Sequence, residues 1–319
     1  MKRRMLRCGI EVSEIGLGCW AIGGPFWDRG GWMGYGDVDD AESLRCLRRA
    51  LDLGVTFFDT ADVYGCGHSE ALLGEAFGDR PDVVVSTKFG FVFDCAERKV
   101  TGQDAGPEAM RRSLEGSLRR LRRERIDQYG LQLWDYPLER AGEVLEALDR
   151  FVDEGKVRSY AWLTDDLERV KWFAAHGKHV VGAPQLLNVL ENSPPLLAWC
   201  EEQGMPALAR RPLCMGLLTG KFDASSTFPE NDMRKRFGWN FGTGKQATWL
   251  RKLEALRGIL TRDGRTLAQG SLCWVWGRSR LAMPCPGFKN LKQLEENVAA
   301  ERFGPLPAEQ MAEIAAVLA

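Results

Sequence analysis

Residues 41–65 read AESLRCLRRALDLGVTFFDTADVYG, and this stretch contains one complete helix–strand unit. Leucines that recur every three or four residues predict an amphipathic helix over residues 41–53, and Asp39 and Glu42 have capping-box spacing at its start. The apolar, β-branched run that follows predicts a buried strand over residues 55–60. This strand carries a carboxylate near its end, so a charged side chain is expected at the edge of a hydrophobic core.

The same unit repeats along the chain, which predicts an α/β fold of alternating strands and helices. Seven further buried strands are predicted at residues 13–18, 82–88, 126–132, 158–164, 182–188, 206–211 and 281–287. Further amphipathic helices are predicted at residues 107–121, 141–154, 166–175, 195–203, 265–277, 291–300 and 307–318. Residues 23–38 and 222–246 show neither periodicity and are predicted to be long loops, which are often functional on a rigid scaffold.

Strands that alternate with helices pair in parallel through right-handed crossovers, and this leaves two architectures. An open doubly wound sheet usually carries a G-x-G-x-x-G turn after its first strand, but Gly65 and Gly67 are not followed by the third glycine. We therefore expect a (β/α)8 TIM barrel that spans residues 1–319 as a single domain. An N-terminal β-hairpin in residues 2–14 and C-terminal helices are expected to complete it.

Composition argues against several classes of protein. The net charge is −1, which gives no general attraction to nucleic acid or to an anionic membrane. No apolar run reaches the length of a membrane span, and the first residues lack a signal-peptide pattern. Nine irregularly spaced cysteines are expected to be free thiols, which indicates a reducing, cytoplasmic location. His176 and His179 lack the ligand-rich partner segment of a metal site, so no metal is expected.

Polar side chains stand at the ends of nearly all predicted strands, where barrel enzymes carry their active sites. Asp59 and Lys88 end neighbouring strands, and Tyr64 follows Asp59 in a glycine turn. A carboxylate that holds an ammonium beside a phenol is a way to lower the pKa of that phenol from about 10, which makes it a usable general acid near neutral pH. A structural Asp–Lys pair beside an exposed tyrosine explains the same spacing equally well.

Four sequence blocks resemble the aldo-keto reductase family. They are GVTFFDTADVYG at residues 54–65, STKFG at 86–90, GLLTGK at 216–221 and PGFKNLKQLEEN at 286–297. Because the blocks are spread over most of the chain, the resemblance is global. It implies an NADP-dependent oxidoreductase that moves a hydride between the nicotinamide and a carbonyl carbon. In that reaction Tyr64 gives or takes the substrate proton, Lys88 tunes Tyr64, and Asp59 holds Lys88.

The NADP(H) site has a partly independent signal. Gly287 and Lys289 precede a predicted helix whose cap is Asn290, and a helix N-terminus offers N–H groups and a positive dipole end to a phosphate. A helix that is merely capped is the common alternative. The resemblance assigns this segment to the adenosine 2′-phosphate. It assigns the adenine to Gln293, Glu296 and Asn297, and the pyrophosphate to Leu213, Gly216, Leu218 and Lys221, with Arg234 from the long loop.

The chain departs from the family pattern around the nicotinamide. Gln132 stands where the family usually has a histidine; it can donate a hydrogen bond to a carbonyl oxygen but does not titrate near neutrality. Leu163 and Thr164 replace a Ser-Asn pair that holds the carboxamide, and Gln185 remains as a carboxamide partner. The sequence is therefore identified as a divergent member of the family.

Arg210 is the third departure, because it occupies the place of the aromatic residue that usually lies under the nicotinamide. Its guanidinium plane can stack on the ring, or it can anchor a substrate carboxylate or phosphate. A salt bridge to Asp165 or Asp166 across the barrel rim is the structural alternative.

These features favour an NADPH-dependent oxidoreductase that reduces a carbonyl, or oxidises an alcohol, of a small cyclic or sugar-like substrate. Two alternatives remain open at this level: a non-redox isomerase or dehydratase on the same fold, and a cofactor-binding regulatory protein. The expected partner is a small molecule, and the sequence leaves the oligomeric state open. Tryptophans that line a pocket would suit a ring or a sugar, and those expected to do so are Trp20, Trp27, Trp134 and Trp162.

Overall fold

The computed structural model describes all 319 residues and contains a closed barrel of parallel strands. The strands are β1 (Arg3–Leu6), β2 (Ile10–Ser13), β3 (Leu17–Gly18), β4 (Phe26–Asp28), β5 (Gly31–Met33), β6 (Phe57–Asp59), β7 (Val84–Phe89), β8 (Phe91–Asp94), β9 (Lys99–Gln103), β10 (Ile126–Leu131), β11 (Val157–Trp162), β12 (Ala183–Leu186), β13 (Ala207–Arg210) and β14 (Ala282–Pro284). The helices are α1 (Asp40–Asp52), α2 (His68–Phe77), α3 (Pro107–Leu121), α4 (Ala141–Asp153), α5 (Leu167–His176), α6 (Pro194–Glu202), α7 (Met233–Arg236), α8 (Gly244–Leu260), α9 (Leu267–Arg278), α10 (Leu291–Val298) and α11 (Ala308–Leu318).

Eight of these strands form the barrel. β3, β6, β7, β10 and β11 pair side by side, and β12, β13 and β14 form a second run. The parallel bridges Gly18–Gly287 and Tyr160–Val180 join the two runs at both seams. The barrel is therefore closed, and the (β/α)8 architecture expected from the sequence is confirmed.

The core follows from the burial of both strand faces, as in other parallel sheets. Every residue of β7 and β10 is buried, and 70 buried residues form one hydrophobic cluster. A smaller cluster holds Leu6, Ile10 and Val12 of the antiparallel β1–β2 hairpin together with barrel residues such as Phe57. Because these hairpin side chains are buried among barrel residues, the hairpin closes one end of the barrel, as expected from residues 2–14.

All eight predicted barrel strands occur, although most are shorter than expected. The largest difference is at residues 13–18, where only Leu17 and Gly18 belong to the barrel, because Ser13 pairs in the hairpin instead. The prediction that residues 23–38 and 222–246 are loops without regular structure is wrong in part. The first segment contains the β4–β5 hairpin, and the second contains α7 and the start of α8.

Two further helices and one further hairpin were not predicted from the sequence. α2 buries Ser69, Glu70, Leu72, Leu73, Gly74 and Phe77, so polar and apolar side chains share its buried surface and no simple apolar stripe marks it. α8 and the β8–β9 hairpin were also not predicted. No helix of the chain is both long and apolar enough to cross a bilayer. All nine cysteines are free, and only Cys8 and Cys95 are exposed.

Two helix caps fix the starts of α1 and α10 at the barrel rim. The Asp39 carboxylate accepts a hydrogen bond from the Glu42 backbone N–H at 3.1 Å, and the Asn290 side chain accepts one from the Gln293 N–H at 2.9 Å. The Glu42 carboxylate also accepts a hydrogen bond from the Leu291 N–H at 2.9 Å, so it ties α1 to the first turn of α10. The start of α10 is therefore held in a fixed position at the barrel rim.

Candidate active site

A cleft of about 670 Å³ opens at the C-terminal ends of the barrel strands. Six of the eight strands contribute a residue at or just beyond their ends: Gly18, Asp59, Gln132, Leu163, Arg210 and Cys285. Fifteen of the predicted site residues line this cleft: Trp20, Asp59, Tyr64, Gln132, Trp134, Arg210, Leu213, Gly216, Lys221, Arg234, Gly287, Lys289, Gln293, Glu296 and Asn297. The structure thus brings together side chains that are up to 277 positions apart in the sequence, from Trp20 to Asn297.

Asp59 and Lys88 form an ion pair in the barrel wall beside the cleft. The Lys88 Nζ atom donates hydrogen bonds to Asp59 Oδ1 at 2.7 Å and to the Thr60 carbonyl at 2.6 Å. The Ser86 hydroxyl also donates to Asp59 Oδ1, at 2.9 Å. β6 and β7 are neighbours in the barrel, and Ser86 and Lys88 are two residues apart on one strand, so both face Asp59. The Lys88 side chain is only 3% exposed, and it reaches the cleft through Asp59.

Tyr64 lies beside this pair in the turn that follows β6. Its ring stacks on Trp20 with centroids 5.2 Å apart, and Lys88 Nζ lies 5.7 Å from the ring centre. The turn requires glycine at position 65, where φ is +61° and a Cβ would lie 1.9 Å from the Gly23 carbonyl oxygen. This close approach holds the phenol at the cleft, and the Tyr64 hydroxyl makes no hydrogen bond within the chain.

The expected lowering of the Tyr64 pKa is not what the structure shows. Burial raises the pKa of the Tyr64 phenol well above its usual value, and the Asp59 carboxylate raises this pKa further. Arg210 and Arg211 act in the opposite direction. Because Lys88 donates directly to Asp59, the negative charge of Asp59 offsets part of the effect that the ammonium has on the phenol. In the free protein Tyr64 is therefore a neutral hydrogen-bond and proton donor.

The Arg210 guanidinium forms a salt bridge with Asp165. This is the structural alternative that the sequence offered to a role in stacking or substrate binding. The guanidinium also lies over the Trp134 ring, 4.2 Å from its centre. Burial lowers the pKa of Arg210 to about 10, and Asp165 opposes this effect. Nearby, the Gln132 amide is buried, lines the cleft, and has an Oε1 atom without a hydrogen-bond partner. The Gln132 side-chain oxygen therefore has no partner within the protein and can accept a hydrogen bond from a ligand.

The other end of the cleft is rich in positive charge. Arg234 is paired with Asp232, which it contacts through two nitrogens, and it donates to the Met215 carbonyl at 3.1 Å. The Lys289 ammonium donates to the Tyr35 and Asp37 carbonyls at 2.8 and 2.7 Å.

Lys221 makes no ion pair within the chain. The cleft wall limits its hydration, and this, together with the neighbouring Arg234 and Lys289 charges, lowers the pKa of its ammonium. Gly216 is in the left-handed region, with φ at +93°, and a Cβ there would lie 3.3 Å from the Lys221 side chain. We call the end of the cleft formed by Lys221, Arg234 and Lys289 the cationic end. Asp232, which pairs with Arg234, is the only carboxylate that forms an ion pair with any of these three cations.

Six of the predicted site residues do not line the cleft: Lys88, which contacts Asp59 in the barrel wall, and the five that follow. The Thr164 hydroxyl is engaged with the Trp134 carbonyl and the Asp166 N–H, and the Gln185 amide donates to Cys200 Sγ of α6. Leu218 is fully buried in the main core. Trp162 donates its N–H to the Leu133 carbonyl and packs on Phe173 of α5, and Trp27 packs on Trp32 in the β4–β5 hairpin. Gln185 and Trp162 contact helices outside the barrel. Their positions near strand ends did not indicate that their side chains point away from the cleft.

Some cleft residues were not predicted. Tyr35 contacts Trp20 edge to face, with ring centres 5.5 Å apart, and it lies in the Gly- and Trp-rich segment 23–38. Met233 and Phe237 lie in the other long segment, 222–246, and also line the cleft. Arg211, which follows β13, also lines the cleft. The predicted functional importance of the two long segments was the one signal that pointed toward these residues.

Asp62 lies between Asp59 and Tyr64 in the turn after β6 but is buried, with one carboxylate oxygen accepting a hydrogen bond from Ser113 and the other without a partner. Burial and the nearby Glu70 raise the pKa of Asp62 to about 8. Because this folded-state pKa is above the unfolded value of about 4, the contribution of Asp62 to stability is full below about pH 4 and is lost as pH rises through about 8.

We therefore expect Asp62→Asn to become more stable relative to the wild type as pH rises from 4 to 9. The free-energy difference should change by more than about 1 kcal/mol, the equivalent of roughly one pKa unit. Urea unfolding of both proteins at several pH values measures it. Parallel stability curves would show that Asp62 is ionised throughout in the folded protein.

Comparisons with known proteins match this architecture along nearly the whole chain. The model of the aldo/keto reductase family matches residues 14–319. Aldo-keto reductase YhdN of Bacillus subtilis is 30% identical over 292 residues, which cover 90% of this chain and 84% of that protein. The NADH-specific methylglyoxal reductase of Escherichia coli is 28% identical over 307 residues, which cover 91% of this chain and 90% of that protein.

Two solved structures are similar over equally long spans. The glycerol dehydrogenase of Gluconobacter oxydans superposes with a TM-score of 0.84 at 27% identity, covering 99% of this chain and 94% of that one. A Klebsiella pneumoniae aldo-keto reductase in complex with NADPH superposes with a TM-score of 0.73 at 25% identity, covering 100% and 96% of the two chains. No group of three or more His, Cys, Asp or Glu side chains is arranged to hold a metal ion.

Proposed function

This chain belongs to the aldo/keto reductase family, and from that premise we propose that residues 1–319 act as one NADP(H)-dependent oxidoreductase domain that reduces the carbonyl group of a small substrate. The observation that carries the proposal is the joint position of Asp59, Lys88 and Tyr64 beside one cleft whose far end is cationic. The methylglyoxal reductase and glycerol dehydrogenase among the similar proteins act on small carbonyl or hydroxyl compounds, which supports the substrate class.

The residues at the cationic end fit a dinucleotide that carries an additional phosphate. Lys221 has no carboxylate partner, and Lys289 donates only to backbone carbonyls. No carboxylate of the chain therefore pairs with either ammonium group, and both can pair with a bound anion. The Leu291 and Gln293 N–H groups in the first turn of α10 already donate to Glu42 and Asn290, so the phosphate contacts would come from the two ammonium groups. Gln293, Glu296 and Asn297 line the cleft from α10 and would face the adenine. The Asn297 amide donates to the Gly287 carbonyl at 3.1 Å, which fixes this wall.

When bound, the nicotinamide supplies the hydride for reduction, and the chain supplies the proton and its positioning. The neutral Tyr64 phenol donates a hydrogen bond to the carbonyl oxygen and then the proton that the product alcohol requires. The Gln132 amide offers a second N–H donor to that oxygen, in the place of a histidine. Asp59 orients Lys88, and Lys88 stabilises the phenolate that remains on Tyr64 after proton transfer. Trp20 holds the phenol ring in place.

The direct test is a spectrophotometric assay of NADPH oxidation over a panel of small aldehydes and ketones, including methylglyoxal and glyceraldehyde. We expect one alcohol formed per NADPH consumed. Turnover without any change in NADPH absorbance would instead indicate an isomerase or dehydratase. Tight NADPH binding by calorimetry without turnover of any compound would indicate a regulatory protein.

Cofactor selectivity gives a separate prediction. Lys289→Met is expected to raise the Kd of NADPH by at least about 10-fold and to leave the Kd of NADH within about threefold, because a charge-assisted bond to the 2′-phosphate is worth about 1.5–3 kcal/mol. Lys221→Met is the matched control, because a contact with the pyrophosphate should weaken both cofactors alike. Cofactor fluorescence titration measures the Kd of NADPH and of NADH for the wild type and for both variants. Equal losses of NADPH and NADH affinity in Lys289→Met would contradict the assignment.

A further inference from the structure

Arg211 is a cation of the cleft that the mechanism above does not use. It follows β13 in a turn where its own φ is +53°, a conformation that is uncommon for residues other than glycine. Its carbonyl accepts hydrogen bonds from the Cys214 N–H at 2.8 Å and the Asn188 side chain at 3.2 Å, so its backbone is fixed. Its guanidinium, by contrast, makes no hydrogen bond and no ion pair, although it lines the cleft.

The charges around Tyr64 leave Arg211 without a counterion. Lys88 is paired with Asp59, and the Arg210 guanidinium is paired with Asp165. Every nearby cation apart from Arg211 therefore has its own carboxylate, and this part of the cleft carries one positive charge in excess. A guanidinium offers a planar set of N–H donors that matches a carboxylate or a phosphate, so an unpaired one in a cleft is suited to an anionic ligand.

Arg211 belongs to the Tyr64 half of the cleft. Its guanidinium carbon lies 6.0 Å from the centre of the Trp134 ring, on which Arg210 also lies. Burial raises the pKa of Tyr64, and the positive charge of Arg211, like that of Arg210, opposes this rise. The charges that shift the pKa of Lys221 are instead those of Arg234, Lys289 and Asp232. The cationic end thus has its own set of cations for the cofactor phosphates, and Arg211 stands outside that set.

Building on the proposed function, we propose that Arg211 binds the carboxylate or phosphate group of an anionic carbonyl substrate and thereby makes the enzyme selective for substrates with such a group. The sequence had suggested Arg210 for a role of this kind. The structure assigns it to the neighbouring residue, because Arg210 is already engaged by Asp165 and Trp134. Arg211 is a specificity-determining residue here, and the proton still comes from Tyr64.

The experiment compares two matched aldehydes, 4-oxobutanoate and its methyl ester, which differ in a single negative charge. We expect the wild type to have a kcat/KM at least 10-fold higher for 4-oxobutanoate. Arg211→Met should lower kcat/KM for 4-oxobutanoate by about 10- to 100-fold, mainly through KM, and change the value for the ester by less than about threefold. Arg211→Lys, which keeps the charge but loses the planar fork, should give an intermediate loss.

Lys292→Met is the control, because Lys292 is an unpaired cation of the same cleft on α10. It should leave the preference for 4-oxobutanoate over the ester unchanged. Equal losses for both aldehydes in Arg211→Met, or no preference in the wild type, would overturn the proposal. An increased Kd of NADPH in Arg211→Met with an unchanged preference would also overturn it, because Arg211 would then serve the cofactor phosphates.

A failure of the proposed function is a separate result. If none of the carbonyl compounds causes the wild type to oxidise NADPH, the proposed reduction fails. The binding of succinate, followed by tryptophan fluorescence, still tests Arg211 in that case. Trp20 and Trp134 line the cleft and report on it. A succinate affinity at least 10-fold weaker in Arg211→Met than in the wild type supports the anion site. Equal affinities for succinate overturn it.

Discussion

Tyr64→Phe is expected to lower kcat for carbonyl reduction by at least about 100-fold while the Kd of NADPH stays within about threefold, because general acid catalysis contributes roughly 100- to 10,000-fold. The substitution removes only the hydroxyl, which makes no hydrogen bond within the chain. The ring keeps its stack on Trp20, so the turn and the fold should survive. NADPH oxidation gives kcat, and cofactor fluorescence gives Kd.

Tyr136→Phe is the control for this substitution. Tyr136 is also buried, and its hydroxyl also lacks a hydrogen-bond partner, but it does not line the cleft. Its kcat should equal that of the wild type. The pH profile adds a second measurement, because the raised pKa of Tyr64 keeps the phenol protonated over the neutral range. Reduction should therefore show no loss of rate from ionisation of Tyr64 below about pH 10. A Phe variant with wild-type kcat would exclude Tyr64 as the acid.

Lys88→Met is expected to lower the free energy of unfolding by about 3 kcal/mol and kcat by at least about 100-fold. The substitution leaves Asp59 without its cationic partner and leaves the Thr60 carbonyl without a donor. Asp59 is 22% exposed, so water screens part of the cost, and the loss should fall at the low end of the range for buried ion pairs. Urea unfolding and NADPH oxidation measure the two effects.

The double variant Asp59→Asn/Lys88→Met separates stability from catalysis. Removing both charges should recover at least half of the lost stability, because no unpaired carboxylate remains, but kcat should stay low. Arg123→Met breaks another buried ion pair, Arg123–Asp127 at 2.8 Å, which does not line the cleft. It should destabilise the protein and leave kcat unchanged. Recovery of kcat in the double variant would show that Lys88 acts only on the fold.

The local pattern of the chain determined much of the barrel and part of the site. A continuous run of apolar residues followed by an amphipathic helix is a signal contained in the local sequence. This signal predicted all eight barrel strands. Polar strand ends pointed to Asp59 and Lys88 but left a purely structural ion pair equally open, and the family resemblance assigned roles to these two residues and to Tyr64. α2 was missed since its buried surface mixes Ser69 and Glu70 with leucines, and tertiary packing satisfies these polar groups: Glu70 pairs with Arg120, and Ser69 bonds Thr60.

Only the tertiary structure decided the direction and the charge state of the site residues. Gln185 and Trp162 are at strand ends, as predicted, but they contact helices outside the barrel instead of the cleft. Burial and the neighbouring Asp59 reversed the expected shift of the Tyr64 pKa. Asp165 neutralised Arg210 and left Arg211 as the free cation. Each of these outcomes depends on side chains that are distant in sequence, because burial and Coulomb energies depend on distance in space, which the order of residues along one strand does not contain.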